Sequence, residues 1–387
     1  MSAKSAGPVR VRVTLAAAVA ALATGALVAP AAVAAPAPAA GHTATQRSLE
    51  RAVAEGAPGA IARAQDRHGV WAGTAGVGDR ETGTPRAKND RFRIGSITKT
   101  FVATVLLQLE AERRLDLDDT VERWLPGVVR GNGHDGRRIT VRQLLNHTSG
   151  VYNYSAAPEI QEMLFTERFL QHRYDTWQAR DIVAVAMKHQ PDFAPGTSWK
   201  YSNTNYNLAG MVIEKVTGRS YEAEIERRIV RPLKLRATSV PFTSPTVPGP
   251  ASRGYSKLSP DPAATTVHDV TEFNPSLAGA GGGMISDTKD LHTFLAALLR
   301  GKLLPREQLN AMTTTIAPPS MPGMAYGLGI MSAKTGCGTE VWGHAGGIHG
   351  SESMAVATRD GRHSLTANLN GDWAGDTRTV VEAEFCG

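Results

Sequence analysis

Strand-like patterns stand at both ends of this chain, and helix-like patterns fill its middle. That distribution constrains the fold more than any other feature. Near the start, GAIARAQD (59–66) and GVWAGTAGV (69–77) read as strands separated by turn residues at His68 and Gly69, and FRIG (92–95) reads as a third. The last sixty residues or so return to strand patterns in YGLGIMS, VWGHAG, SMAVATR and HSLTANL. Between them, about 115–270 is expected to be helical and loop-like, with DIVAVAMKH, YNLAGMVIEKVTG and YEAEIERRIVRPL as its clearest helices. Further helices are expected over Thr45–Glu55, from Ser96 through Leu109, over Thr288–Leu299 and over Asp376–Phe385. The expected fold class is α+β: an antiparallel-sheet α/β lobe built from both chain ends, with a mainly helical lobe inserted.

The first residues follow a different logic. Lys4, Arg10 and Arg12 precede the uncharged run VTLAAAVAALATGALVA, and small residues follow it. This is the three-part layout of a secretory signal peptide, with Ala32-Val33-Ala34 as a cleavage triplet. The expected organisation is a signal peptide over 1–34, a disordered leader over 35–44 and a single domain over 45–387. The run is short for a membrane span and lacks a stop-transfer cluster, so no stable anchor is expected. Export suits the cysteines: there are two, Cys337 and Cys386, and an oxidising compartment favours their pairing. Two cysteines exclude thiolate metal clusters. The formal charge of +6 falls to +3 without Lys4, Arg10 and Arg12, too little to argue for nucleic acid.

Ser96 and Lys99 stand three positions apart where a strand gives way to an apolar helix, just after Gly95. On a helix, positions three apart share a face. A serine hydroxyl needs a base before it is a nucleophile, and a buried lysine with a lowered pKa can be that base. The competing reading makes Ser96 a helix cap. Ser286 and Lys289 repeat the spacing, and there capping by Ser286 or Asp287 is the stronger reading. Tyr201-Ser202-Asn203 follows a Pro-Gly turn and precedes a helix; GHAGG places His344 in a glycine-rich stretch after a strand. The glycine-rich AGAGGGM (278–284) lacks the Lys-Ser/Thr of a phosphate loop and reads as a loop edging a pocket. His147 reads as a structural histidine.

Taken in order, Ser-x-x-Lys, Tyr-Ser-Asn and His-x-Gly resemble the motifs of the penicillin-recognising serine hydrolases. RITVRQLLNHTSGVYNY (138–154), FAPGTSWKYSN and GLG followed by GHAGG also resemble this family, over about 45–387. Secreted Streptomyces-type D-alanyl-D-alanine carboxypeptidases look most similar. The resemblance implies a β-lactamase/transpeptidase-like fold and an acyl-Ser96 intermediate. It implies that Lys99 and Tyr201 share the proton work, with either as the base. Asn203 would hold the acyl side-chain amide, with Ala345 and Gly346 also at the substrate, and His344 would stand close to Tyr201. The amides of Ser96 and Gly347 would form the oxyanion hole. No metal or cofactor is implied.

Three positions depart from the pattern. Ala345 and Gly347 stand where the resembled enzymes carry hydroxyl residues, and Met331 stands where an arginine helps bind a terminal carboxylate. A missing charge-assisted bond is worth roughly 1.5–3 kcal/mol. Arg253 or Lys334 are candidate substitutes. The favoured expectation is nevertheless a secreted, cell-wall-associated, monomeric D-Ala-D-Ala carboxypeptidase acting on peptidoglycan stem peptides and binding β-lactams. A class C-like β-lactamase, a carboxylesterase and a non-catalytic binder of cell-wall peptides are the alternatives.

Overall fold

A computed structural model describes residues 41–261, 263–318 and 320–387. The expected signal peptide and most of the expected leader lie outside the described residues. The end of that leader needs correcting: α1 spans Thr43–Ala54, two residues earlier than the expected start. The cause is a buried carboxylate from the far end of the chain. Glu384 accepts from Thr45 Oγ1 at 2.7 Å and meets His42 Nδ1 at 2.9 Å, so ordered structure begins before residue 45.

β1 (Gly59–Asp66) and β2 (Gly69–Gly76) form an antiparallel hairpin. β3 (Phe92–Arg93) does not join them; it pairs with β4 (Ile285–Ser286) in a ribbon of its own. α2 (Thr98–Ala111) follows, then the helical region containing α3 (Ala179–Met187) and α4 (Asn203–Thr217), and then α5 (Thr288–Leu299). The chain returns as β5 (Met324–Tyr326), β6 (Met331–Lys334), β7 (Glu340–Ile348), β8 (Ser351–Thr358), β9 (Ser364–Leu369) and α6 (Thr377–Cys386). The expected strand YGLGIMS is thus two strands with a loop between them. The large sheet has the order β2-β1-β9-β8-β7-β6-β5, and every pairing is antiparallel. The two chain ends meet at the β1–β9 pair, toward the β2 side of the sheet, and β8 is the central strand.

Alternation along the strands divides the core in two. Ala60, Ala62, Ala64, Met354, Val356, Leu365, Ala367 and Leu369 face one way, with Leu49 of α1 and Val380 of α6. Ile61, Ala355 and Ala357 face the other way, toward α2, α5 and the helical region. α2 is buried on nearly all sides, Phe101 stacking on Phe294 of α5 at 3.6 Å between ring centres. A helix apolar all round belongs in a core. Lys99 lies in its first turn. Cys337, in the β6–β7 turn, is bonded to Cys386 at the end of α6.

Candidate active site

The turn before α2 sets the site. Gly95 has φ +50°, and a Cβ there would lie 2.8 Å from Gly347 O and 2.9 Å from Gly347 N. Only glycine tolerates both the left-handed backbone and this approach. Gly95–Ile97 form one 3₁₀ turn that carries Ser96 against β7. Pairing of β7 with β6 ends at Gly343, so the stretch at Gly346–Gly347 is open to this turn.

Lys99 is fully buried. Its Nζ meets Ser96 Oγ at 3.0 Å, Asn203 Oδ1 at 2.8 Å and Gly281 O at 2.6 Å. Burial drives its pKa well below that of a free lysine. A neutral amine has two N–H groups and one lone pair. The Gly281 carbonyl and the Asn203 amide oxygen can only accept, so they take both N–H groups. The lone pair is left for the Ser96 hydroxyl. The Asn203 orientation is fixed in turn, because its Nδ2 donates to Ser155 Oγ at 3.1 Å.

Tyr201 is half-buried, its ring centre 4.8 Å from Lys99 Nζ. Burial raises its pKa and a hydrogen bond with Ser96 opposes that only in part, so the phenol keeps its proton. Behind it runs a chain of neutral groups. His147 Nδ1 accepts from the Ser202 amide at 3.2 Å, so Nε2 carries the proton and donates to Tyr326 Oη at 3.2 Å. Tyr326 then donates to His344 Nε2 at 2.9 Å, and His344 Nδ1 donates to Ala345 O at 2.5 Å. Burial holds His344 down to about 3 and His147 well below its usual range, so both are uncharged.

The structure therefore brings Ser96, Lys99, Tyr201 and Asn203 together. His344 is placed near Tyr201, 6.5 Å between ring centres, but both its nitrogens are engaged elsewhere. Gly346 packs against Ile94 rather than into the cavity, and Ala345 lines a second cavity beside His344. His147 is structural, as expected, and AGAGGGM does edge the pocket through Gly281 and Gly282. Ser286 is buried against Thr238 Oγ1 at 2.8 Å, and Asp287 caps α5, so the repeated Ser-x-x-Lys is a helix start. Arg253 is not a free cation for a substrate: it is paired with Asp79 and Asp269 and lies outside the Ser96 cavity. Lys334 and Met331 line the second cavity only.

A cavity of about 440 Å³ opens at Ser96, lined by the aromatic Phe165, Phe169, Trp177 and Phe273 and by Gly347 and Glu352. Glu352 and Tyr326 were missed by reading the sequence. For Glu352 a signal existed: a two-residue turn at His349-Gly350 places Glu352 directly across from Gly347.

Comparison with known proteins agrees with this geometry. The family model described as Beta-lactamase matches residues 15–379. Penicillin-binding protein 4* of Bacillus subtilis is 28% identical over 292 residues, 73% of this chain and 61% of its own length. Esterase EstB of Burkholderia gladioli is 33% identical over 177 residues, 44% of each chain. The chain thus spans less than two thirds of the length of either curated relative. Among solved structures, a D-stereospecific amidohydrolase from Streptomyces sp. superposes with a TM-score of 0.85 at 62% identity, covering 89% of this chain and 99% of that one. A D-amino acid amidase from Ochrobactrum anthropi superposes with a TM-score of 0.77 at 28% identity, covering 88% and 96%. A family match over nearly the whole length, joined to a buried lysine on a serine hydroxyl, places this chain in the beta-lactamase family of serine hydrolases.

Proposed function

We propose that this protein is a serine amidohydrolase that cleaves amides of D-configured amino acids through an acyl-Ser96 intermediate. The observation that carries the chemistry is the 3.0 Å contact between Ser96 Oγ and a buried Lys99 whose two N–H groups are already committed. Neutral Lys99 takes the Ser96 proton as Oγ attacks the amide carbonyl. The oxyanion meets the amides of Ser96 and Gly347. Tyr201, held protonated, gives its proton to the departing nitrogen and is reprotonated through Lys99. Water then attacks the ester, its proton passing back along the same groups to Ser96. The carboxylic acid leaves and the enzyme is regenerated.

The substrate class rests on two supports. The Streptomyces amidohydrolase is similar over almost its whole length, and the aromatic wall of the cavity suits a large side chain. A D-Ala-D-Ala carboxypeptidase is the second reading, supported by the similarity to a penicillin-binding protein. It needs a cation for the terminal carboxylate; Met331 and Ala345 supply none and Arg253 is paired outside the cavity, while Arg173 and Lys257 do line it. The N-terminal charged-then-apolar segment and the disulfide support work outside the cytoplasm, at or near the cell wall.

Ammonia release from D- and L-phenylalanine amide tests the reading. The D-amide should be hydrolysed and the L-amide left, with Ser96→Ala inactive and Ser286→Ala active. Turnover by Ser96→Ala would sink it. A lasting benzylpenicillin adduct on Ser96 without amidase activity would move the carboxypeptidase ahead.

A further inference from the structure

We propose that Glu352 receives the α-ammonium group of the substrate, so that the enzyme acts on residues with a free amino terminus rather than a free carboxyl terminus. The inference rests on the acyl-Ser96 reading and names the substrate class for it.

Glu352 lies directly across the β7–β8 pair from Gly347, on the same face of the sheet. Its Oε1 is 3.0 Å from where a Gly347 Cβ would be, so the carboxylate overlies the glycine. A threonine at 347 would push the carboxylate away. The change that removes a hydroxyl for binding a substrate carboxylate is therefore the change that admits a carboxylate of the protein's own. Gly347 in turn touches the Gly95–Ser96 turn, so the serine, the proposed oxyanion donor and Glu352 are successive neighbours.

The charges that bear on Glu352 are acidic, although Arg173 and Lys257 line the same cavity. Burial first, and then the charges of Asp372 and Asp376, push Glu352 up to about 7. Arg378, a cation of the second cavity, is held by Asp376 at 2.7 Å. Asp372 accepts from the Gly350 amide at 3.0 Å and faces His349, whose Nε2 is 2.7 Å from Leu164 O. Glu352, Asp372 and Trp373 also line the second cavity, of about 770 Å³, so Glu352 stands where the two cavities meet. A half-buried carboxylate repelled by its neighbours is a receptor for a cation brought by the substrate.

The geometry selects which cation. In an amino-acid amide the ammonium sits on the carbon next to the scissile carbonyl. With that carbonyl at Ser96 and Gly347, Glu352 is the carboxylate next to it, and Phe169 and Phe273 line the same cavity for the side chain. Contacts to the carbonyl, the ammonium and the side chain are three contacts around one carbon, the number needed to discriminate its hand.

The test compares D-phenylalanine p-nitroanilide with its N-acetylated form, in the wild type and in Glu352→Gln, with p-nitrophenyl acetate as a wild-type substrate lacking an amine. The wild type should prefer the free amine by about 100-fold or more in kcat/KM, as expected when a built polar contact is lost. Glu352→Gln should cut that ratio to about 10 or less, chiefly by raising KM for the free amine. An unchanged ratio in Glu352→Gln, or equal cleavage of both anilides by the wild type, would overturn the inference alone. No acylation of the wild type even by p-nitrophenyl acetate would overturn the acyl-serine reading and this inference with it.

Discussion

Glu352 holds its proton up to about 7, against 4.5 for an ordinary glutamate, because burial, Asp372 and Asp376 all oppose its charge. The sign of the linkage follows. The folded state binds the proton more tightly, so wild-type stability declines as pH rises from 4.5 to 7. Above that window the ionised side chain costs up to about 3 kcal/mol, since each tenfold change in proton affinity is worth roughly 1.4 kcal/mol. Glu352→Gln should therefore match the wild type near pH 4 and exceed its stability by up to about that much at pH 8. Guanidinium midpoints at the two values check it; equal differences at both would contradict it. A residue that weakens the fold where it stands is the kind a binding site retains. At this scale the sequence was legible wherever chemistry follows spacing: Ser96, Lys99, Tyr201 and Asn203 converge as their motifs implied. Two identical Ser-x-x-Lys spacings were separated by physics, since Ser286 bonds Thr238 while Ser96 faces Lys99. Glu352 was legible only through the two-residue turn at His349-Gly350, because a carboxylate in an alternating strand looks like any solvent-facing residue until such a turn gives its cross-strand partner.

Between elements, the chain of hydrogen bonds from His147 through Tyr326 to His344 ties the residues before α4 to β5 and β7. Each donor has one acceptor, so the tautomers are mutually fixed. Removing the shared hydroxyl in Tyr326→Phe leaves a buried N–H on His147 and a buried lone pair on His344. An unpaired buried group costs about 1–3 kcal/mol. Tyr326→Phe should lose at least that for one of the two nitrogens, read from the guanidinium midpoint; a loss well under about 1 kcal/mol would mean the chain is not a structural tie. Most elements could be read from periodicity: β1, β2 and α5 fall where alternation and caps put them. YGLGIMS could not, because its apolar residues suit a strand throughout. The break is tertiary in origin. Gly329 has φ +69° and packs against Ala103 and Tyr206, and the Leu328 amide turns to Met312 O at 2.9 Å. The fate of Phe92–Arg93 was equally hidden, since pairing with β4 rather than with the main sheet depends on a partner almost two hundred residues away.

Across the whole molecule, the two chain ends hold each other. β1 pairs with β9 inside the sheet, α1 and α6 cover one face, and Glu384 of α6 bonds His42, Thr45 and His363 at once. The disulfide adds a second closure: Cys386 returns the end of α6 to Cys337 at the β6–β7 turn, across a separation of 49 residues. In the chain-entropy account a loop of that length contributes about 4 kcal/mol, by restricting the unfolded chain. Its influence on the site should be small. From Glu340 to Gly347 the strand advances seven residues, about 23 Å at 3.3 Å each, so the bridge lies at the far end of β7 from the oxyanion donor. Stability and chemistry should therefore separate. Cys386→Ser should lower unfolding stability by up to about 4 kcal/mol while leaving kcat/KM on D-phenylalanine amide close to the wild-type value at 25 °C. A parallel loss of activity in the still-folded variant would show that α6 and the β6–β7 turn hold the register of Ala345–Gly347. The site would then depend on the chain's end as well as on the turn before α2.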